Sequence, residues 1–213
     1  MNIPPASPTV LAQAEQLGVS RESWMRIESF VGLLVQWQQS INLISPASIP
    51  FIWERHVIDS LQLLPLIPAD TKSVADLGSG SGFPAVPLAI ASGLTFHLYE
   101  SNNKKAAFLR EALRVTGCKG AIHAERLTGK TPTGGYPRID LVTARALAPL
   151  NELLELSQPF TENRAQALFM KGQDVDQELT EAIKYWRIQY TRHASLTDSQ
   201  AIILAVQEVS RVS

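Results

Sequence analysis

Hydrophobic residues follow a helical spacing in the first third of the chain. Residues 21–38 place an apolar face at helical intervals, formed by Trp24, Ile27, Val31, Leu34 and Val35. Residues 8–17 and 51–64 are predicted to be helical as well, and Ser20 is a suitable N-cap for the helix over 21–38. Pro65 and Pro68 end this region. The pattern therefore predicts a helical extension over residues 1–65.

From residue 73 onward, short apolar runs alternate with helical segments. The predicted strands are 73–77, 94–99, 121–124, 139–143, 165–170, 187–192 and 201–208. The predicted helices are 84–92, 102–116, 150–158 and 176–186, with Gly117 at a helix C-terminus. This alternation indicates an α/β fold, with a mostly parallel seven-stranded sheet covered by helices on both faces. Residues 66–213 are expected to form this second domain, in one compact unit with the extension.

A glycine-rich turn connects the first predicted strand to the helix that follows it. Asp76 stands near the end of the strand, and the turn contains three alternating glycines: Gly78, Gly80 and Gly82. Pro84 begins the helix, because proline is tolerated where helical N–H groups have no partner. Such a turn lets a ligand approach bare backbone beside a helix N-terminus, so it is the predicted binding site.

Three classes of ligand use turns of this kind. A phosphate-binding loop requires a terminal Gly-Lys-Ser/Thr, which this turn lacks. A dinucleotide fingerprint is matched by Gly80, Gly82 and Ala85, with Glu100 about 20 residues on as the ribose acid. An S-adenosylmethionine loop is matched by Asp76 and the three glycines. The carboxylate favours the methyl donor, since it repels a pyrophosphate but attracts an ammonium or sulfonium cation.

Ligands of parallel sheets bind beyond the carboxyl ends of the strands, so the residues that follow each strand define the expected site. These residues are 76–83, 100–101, 125–128, 144–145 and Lys171. Glu100 is predicted to bind the ribose hydroxyls of the donor. The alternative for Glu100 is a solvated carboxylate at a helix start.

Composition restricts the compartment and the kinds of site that we expect for this protein. The chain has 213 residues, one cysteine and a net charge of -1. A single cysteine excludes an internal disulfide and a multi-cysteine metal site. With no apolar run of membrane-spanning length and no secretory pattern, we expect a cytoplasmic protein. Residues 101–150 are nonetheless basic, and form either a polyanion-binding surface or a solvated helix face with basic loops. Their cations are Lys104, Lys105, Arg110, Arg114, Lys119, Arg126, Lys130, Arg138 and Arg145.

The residues also restrict the methyl acceptor. Methylation of a pyrimidine carbon needs a thiolate, and Cys118 follows a helix that returns to the opposite edge of the sheet. Methylation of an exocyclic amine usually uses an Asn/Asp-Pro-Pro-aromatic turn, whereas residues 143–146 read TARA. A purine N7 needs neither, because its lone pair is free at neutral pH and requires only alignment. A small molecule that is already nucleophilic is the alternative acceptor.

These motifs together resemble the RsmG (GidB) family of bacterial 16S ribosomal RNA guanine-N7 methyltransferases. The matching segments are 42–45 (NLIS), 55–60 (RHVIDS), 76–88 (DLGSGSGFPAVPL), 104–109, 143–150 (TARALAPL) and 170–172. The resemblance implies a Rossmann-like class I methyltransferase fold. It also implies S-adenosylmethionine as the donor, S-adenosylhomocysteine as the product, and 16S rRNA as the substrate.

The resemblance further implies contacts to the donor at Gly78, Phe83 and Arg145, and along the backbone of Leu127 and Thr128. It also implies a substrate pocket bordered by the helix over 55–59. Thr128 stands where the family commonly has a glutamate, so only a backbone contact is expected there. Ala85 replaces a common glycine within a helical turn, where alanine is favourable.

The candidate pocket residues are Arg55, His56, Asp59, Arg145 and Lys171. None is expected to be an essential acid or base. His56 and Asp59 share a helix face, and they either hydrogen-bond each other or a cap, or shape the pocket. Arg145 lies in the site, or is a buried arginine paired with Asp76 or Glu125.

Lys171 is either a phosphate contact or a solvated lysine at the end of a strand. The sequence therefore predicts a monomeric, metal-independent methyltransferase that acts on 16S rRNA in the small ribosomal subunit or its precursor. The alternatives are a small-molecule methyltransferase, a dinucleotide oxidoreductase and a non-catalytic RNA-binding or assembly factor. A single basic rim around the donor pocket, formed by residues 101–150 and the helix over 55–59, would favour RNA over a small molecule.

Overall fold

The computed structural model describes residues 3–131, 133 and 135–212. Helices α1 (Pro8–Gln16) and α2 (Arg21–Gln38) form as predicted, and the side-chain oxygen of Ser20 caps α2 by accepting from the N–H of Ser23. Most of residues 51–64 is helical as predicted, although the turns are of mixed type rather than one regular α-helix. The turns are a 3₁₀ helix (Pro46–Phe51), a π-helical segment (Trp53–Ile58), α3 (Asp59–Leu61) and a second 3₁₀ turn (Leu64–Leu66).

Seven strands form one sheet in the order β3-β2-β1-β4-β5-β7-β6. Strand β7 is antiparallel to β5 and β6, and the other neighbouring pairs are parallel, which confirms the mostly parallel sheet. The strands are β1 (Ser73–Leu77), β2 (Thr95–Tyr99), β3 (Gly120–His123), β4 (Leu141–Arg145), β5 (Gln166–Lys171), β6 (Trp186–Ala194) and β7 (Ile202–Arg211). The helices between them are α4 (Ala85–Ser92), α5 (Asn103–Thr116), α6 (Leu150–Thr161) and α7 (Val175–Ala182).

Two of the shifted boundaries are explained by side-chain hydrogen bonds. Strand β4 begins two residues later than predicted, because the side chain of Asp140 accepts from the backbone N–H groups of Lys72 and Ser73 at the start of β1. Helix α7 ends at Ala182, since Trp186 begins β6 and bonds Asn151 through its indole N–H at 2.8 Å. Neither shift alters which strand ends meet at the site.

Each face of the sheet carries its own hydrophobic core. The first core joins α1, α2, α4 and α5 to one face, and within it Phe30 contacts the rings of Phe83 and Phe108. The second core packs α6 and α7 against the other face, which includes Leu77 and Phe169. Because the N-terminal helices share a core with the sheet, we propose that residues 1–65 and 66–213 unfold together. In the part of the chain that the structure describes, no helix is long and apolar enough to cross a bilayer.

Candidate functional site

The glycine turn lies at the carboxyl end of β1. Gly78 and Gly80 adopt positive φ angles of 67° and 53° there, which favour glycine. Glu100 holds the turn, because its Oε2 accepts from the N–H of Gly80 at 2.9 Å and its Oε1 accepts from that of Asn102 at 2.7 Å. Its side chain is only 8% exposed, so the solvated alternative is wrong. Ribose binding by Glu100 stays a prediction, and the carboxylate has lone pairs left for it.

Asp76 is the buried acid of the site. It is 1% exposed, and its Oδ1 accepts from the hydroxyl of Thr143 at 2.7 Å. Its Oδ2 has no hydrogen-bond partner among the described residues. Burial raises the pKa of this carboxyl from 3.8 to about 6, and the charge of Glu100 contributes to the increase. An ammonium group from a ligand would satisfy the free oxygen, so the site suits an amino-acid ligand such as the donor.

Gly82 and Phe83 turn toward the core. A Cβ on Gly82 would lie 2.9 Å from Cγ2 of Val86 and 3.2 Å from the ring of Phe30. The ring of Phe83 is buried, edge-on to Phe30 and stacked on His56 at 5.1 Å between centroids. Packing in the core thus explains why a glycine and a phenylalanine stand at these two positions. Donor contacts by the backbone of Gly82 and Phe83 stay a prediction.

A cleft of about 180 Å³ opens beside Gly78. Its other lining residues are Tyr99, Ser101, Glu125, Arg126, Leu127, Leu147, Glu152 and Leu156. Leu127 therefore lies where predicted, whereas Thr128 is an exposed neighbour outside this lining. The contributions of Leu147 and of α6 were missed, because they approach the cleft through tertiary packing from the second face of the sheet. A larger cavity of about 770 Å³, around Arg164 and Arg187, lies at the opposite edge.

Arg145 joins the end of β4 to the N-terminal extension. Its Nη1 donates to Oδ2 of Asp59 at 3.0 Å and to the carbonyl of Arg55 at 3.3 Å. Its Nη2 lies 3.1 Å from Nδ1 of His56, and its guanidinium stands over the ring of Phe83 at 5.4 Å. The predicted alternative partners, Asp76 and Glu125, are replaced by Asp59. The structure thus brings four of the five pocket candidates together.

The hydrogen bonds of His56 determine its tautomer. Arginine only donates, so Nδ1 of His56 accepts from Arg145, and Nε2 carries the proton. This Nε2–H donates to Oγ of Ser48 at 2.9 Å, and that hydroxyl donates to the carbonyl of Ser45. Burial, with the charges of Arg145 and Arg55, lowers the pKa of His56 to about 4. His56 is therefore neutral at pH 7, with both ring nitrogens occupied.

Asp59 links the same cluster to the β6–β7 hairpin. Its Oδ1 accepts from the amide of Gln62 at 2.8 Å and from the hydroxyl of Thr197 at 2.7 Å. Gln62 in turn accepts from the N–H of Leu196 at 2.7 Å. The predicted alternative of a bond between His56 and Asp59 is not observed, since each has these other partners.

Lys171 is buried and paired. It is 8% exposed, and its ammonium donates to Glu178 at 2.6 Å and to the carbonyl of Ala148 at 3.0 Å. The solvated alternative is therefore wrong, because the side chain ties β5 to the segment that precedes α6. A phosphate contact would compete with this ion pair, and it stays a prediction.

The basic block of residues 101–150 is divided between the two ends of the strands, the carboxyl edge and the opposite, amino-terminal edge of the sheet. Lys104 and Lys105 stand in the first turn of α5, and Arg126 lines the cleft, so these cations accompany Arg145 at the carboxyl edge. Arg138 precedes β4 at the opposite edge and pairs with Asp140. The block is thus not one surface: among the described residues, Arg126 is the cation of the block that lines the cleft, and Arg55 is exposed on the N-terminal extension.

Cys118 lies at the opposite edge, as expected. Its sulfur contacts the hydroxyl of Thr116 at 3.3 Å and the guanidinium of Arg26 at 3.6 Å. Burial raises the pKa of this thiol. A protonated thiol at this distance from the cleft does not supply a nucleophile.

The strand order, the glycine turn after β1 and the acid at the end of β2, Glu100, define a Rossmann-like methyltransferase fold. Two solved structures share it: cofactor-bound Rv0187 from MTB (TM-score 0.61, 13% identity, covering 96% of this chain and 98% of that one) and the glycopeptide N-methyltransferase MtfA complexed with S-adenosyl-L-methionine (TM-score 0.55, 12% identity, covering 70% and 92%). At these identities the likeness shows the fold alone.

The sequence comparisons specify the family. The model of GidB, rRNA small subunit methyltransferase G, matches residues 24–204. The ribosomal RNA small subunit methyltransferase G of Bradyrhizobium sp. (strain ORS 278) is 48% identical over 199 residues, covering 92% of this chain and 89% of that one. The chain belongs to the rRNA small subunit methyltransferase G family, which confirms the resemblance inferred from its motifs.

Replacing Gly78 by alanine is expected to weaken donor binding roughly tenfold or more, equivalent to about 1.4 kcal/mol or more. The new Cβ would lie 2.5 Å from Cδ1 of Leu147, at the wall of the cleft. Gly93→Ala is the matched control, because Gly93 has a similar φ of 70° and nothing within 4 Å of its Cβ position. Calorimetry with S-adenosylmethionine should separate the variants, although both lose fold stability. Equal donor affinities would place the donor elsewhere.

Proposed function

We propose that this protein transfers a methyl group from S-adenosylmethionine to N7 of a guanine in 16S rRNA. Membership of the family gives the reaction class, an S-adenosylmethionine-dependent methylation of small-subunit rRNA. The observation that carries the donor assignment is the unpaired, buried Oδ2 of Asp76 beside the glycine turn. We further propose that the protein acts as a monomer in the cytoplasm, on the small subunit or its precursor.

The residues around the turn suit each part of the donor. Asp76 would accept from its ammonium, Gly78 and Gly80 would present bare backbone to its chain, and Glu100 has lone pairs for the ribose hydroxyls. The cleft beside Leu127 would take the adenine. S-adenosylmethionine, when bound, supplies an electrophilic methyl group on a sulfonium. The glycopeptide N-methyltransferase that shares the fold was solved with this donor.

N7 is the acceptor that best matches the protein groups at hand. Its lone pair is unprotonated at neutral pH, so the reaction needs no general base. His56 is neutral with both ring nitrogens occupied, and Cys118 is at the far edge. The protein would hold the guanine in line with the methyl group and exclude water. Positive charge moves from sulfur to the base during transfer, and the carboxyl groups of Asp76 and Glu100 near the turn favour cations there.

Exposed cations at the carboxyl ends of the strands support an RNA substrate. Arg55, Lys104 and Arg126 are exposed at the carboxyl edge of the sheet, where the donor is proposed to bind. Lysine and arginine in such positions bind phosphates and supply most of the affinity for a nucleic-acid backbone. A small-molecule methyltransferase has no need of these cations.

The test is methyl transfer from labelled S-adenosylmethionine to ribosomal subunits from cells that lack this protein. We expect label in the 16S RNA of small subunits, and none in 23S RNA or in protein. Large subunits are the matched control for non-specific transfer. Label in protein, or in no macromolecule while the donor still binds, would contradict the proposal.

A further inference from the structure

Phe51 is a large aromatic side chain in contact with water. It is 55% exposed, although the residues that follow it, Ile52 and Trp53, are buried. It ends the 3₁₀ helix Pro46–Phe51. More than half of the surface of this residue is therefore available to a partner.

The position of Phe51 connects it with the pocket. Side chains three residues apart lie above one another in a 3₁₀ helix, so Phe51 stands one turn from Ser48 on the same side. Ser48 accepts from His56, and His56 accepts from Arg145. Phe51 is thus at the open end of a row of side chains that leads to the proposed substrate pocket.

Arg55 adds a cation beside the ring. It follows Phe51 by four residues along a helically wound segment, which places the two side chains on neighbouring parts of the surface. Its side chain is exposed, while its backbone carbonyl accepts from Arg145. The rim of the pocket therefore presents an aromatic face together with a guanidinium.

This pair of groups matches the chemistry of an unpaired nucleotide. Proteins recognise single-stranded RNA by stacking splayed-out bases on aromatic side chains, while cations contact the phosphates. Arg55 supplies a cation for the phosphate, although the neighbouring Glu54 is exposed as well. The rRNA substrate of the family therefore decides for RNA as the partner.

We propose that Phe51 is the stacking surface for an unpaired base next to the target guanine, with Arg55 on its phosphate. The inference rests on the proposed function, and it adds a substrate-positioning residue that lies outside the motifs of the sequence analysis. It predicts that the ring acts on RNA binding and leaves donor binding unchanged.

The test compares Phe51→Ala, Phe51→Leu and Phe51→Trp with the wild-type protein on small subunits and on a single-stranded RNA oligonucleotide. Losing one stacked base should raise the KM for subunits and the Kd for the oligonucleotide roughly tenfold or more in the alanine variant. Tryptophan should restore both values, and leucine should not, because leucine has no π-face. The Kd for S-adenosylmethionine and the melting temperature should stay at wild-type values in all three.

Tyr185→Ala is the matched control, since Tyr185 is 54% exposed and lies in the connection between α7 and β6. Equal effects of Tyr185→Ala and Phe51→Ala would overturn the inference, and so would full rescue by leucine, which would indicate an apolar protein contact instead. A wild-type protein that methylates no rRNA would refute the proposed function. The oligonucleotide Kd would still decide the role of Phe51 in that case.

Discussion

Asp76→Asn is expected to lose donor binding, roughly a hundredfold or more in Kd, equivalent to about 2.7 kcal/mol, without loss of fold stability. The neutral amide cannot form an ion pair with an ammonium, and its NH₂ group cannot accept from one, so the contact assigned to Oδ2 is lost. Burial of the charge is unfavourable to the fold, because it raises the pKa of Asp76 to about 6. Removing that charge should raise the free energy of unfolding by about 1–2 kcal/mol at pH 7.5, less than the full pKa shift implies because the amide leaves a polar group unpaired.

Asp140→Asn is the matched control for this variant. Asp140 is also an acid near one end of the sheet, but its pKa is lowered, since its carboxylate accepts from the backbone of Lys72 and Ser73 despite some desolvation. Its substitution should therefore reduce stability and leave donor affinity unchanged. Calorimetry and urea unfolding measure both properties. Wild-type donor affinity in Asp76→Asn would contradict the placement of the ammonium.

The pH dependence of donor binding follows from the same carboxyl group. Asp76 must be ionised to pair with an ammonium, so donor affinity should fall as the pH drops below about 6. The fall approaches tenfold per pH unit. In Asp76→Asn this dependence should vanish. An unchanged wild-type affinity between pH 7 and pH 5 would contradict an ionised Asp76 as the donor contact.

Two groups of the site make opposing contributions to the pH dependence of stability. The folded-state pKa of Asp76 is raised from 3.8 to about 6, so its contribution to stability declines as the pH rises through this interval. The folded-state pKa of His56 is lowered from 6.5 to about 4, so its contribution is complete above 6.5 and is lost as the pH falls toward 4. Asp76→Asn should therefore show the steeper loss of stability on acidification.

Arg145→Ala is expected to reduce the free energy of unfolding by about 3 kcal/mol and to remove most of the methyl transfer. The variant leaves the largely buried carboxylate of Asp59 without its cation, and Nδ1 of His56 without a donor. It also disconnects the segment after β4, which walls the cleft, from the N-terminal extension. Arg145→Lys keeps the charge but lacks the planar fork, so most of the loss should persist.

Arg138→Ala is the control for a cation at the other end of the same strand. Its side chain is 93% exposed and its guanidinium lies 3.6 Å from Asp140, so its loss should change stability by under about 1 kcal/mol. Urea unfolding compares Arg145→Ala with Arg138→Ala. The double variant Arg145→Ala/Asp59→Ala then measures the coupling between Arg145 and Asp59. Additive effects of Arg145→Ala and Asp59→Ala would contradict the ion pair.

Local patterns in the sequence predicted the elements that depend on local physics. The helix α5 ends at Gly117 in the left-handed conformation, and α2 begins at the Ser20 cap, because each depends on a few neighbouring residues. Strand β1 has its predicted bounds, since its apolar run is bounded by turn residues. The glycine turn and its acid could be assigned to a donor for the same reason.

Contacts between distant segments could not be predicted in this way. Arg145 and Asp59 are 86 positions apart, and only packing of the extension against the sheet brings them together. Leu147 reaches Gly78 for a similar reason, and Lys171 finds Glu178 on a later helix. The sequence-based alternatives gave Arg145 other partners and left Lys171 solvated, because periodicity specifies a face and not a partner.

The most direct test of the central claim is the position of the methyl group on the RNA. The 16S RNA of small subunits methylated by this protein would be reduced with borohydride and treated with aniline, which cleaves the chain at 7-methylguanine. RNA from subunits incubated with Asp76→Asn is the control. We predict one cleavage site with the wild-type protein and none with the variant. Labelled RNA that aniline leaves intact would contradict methylation at N7.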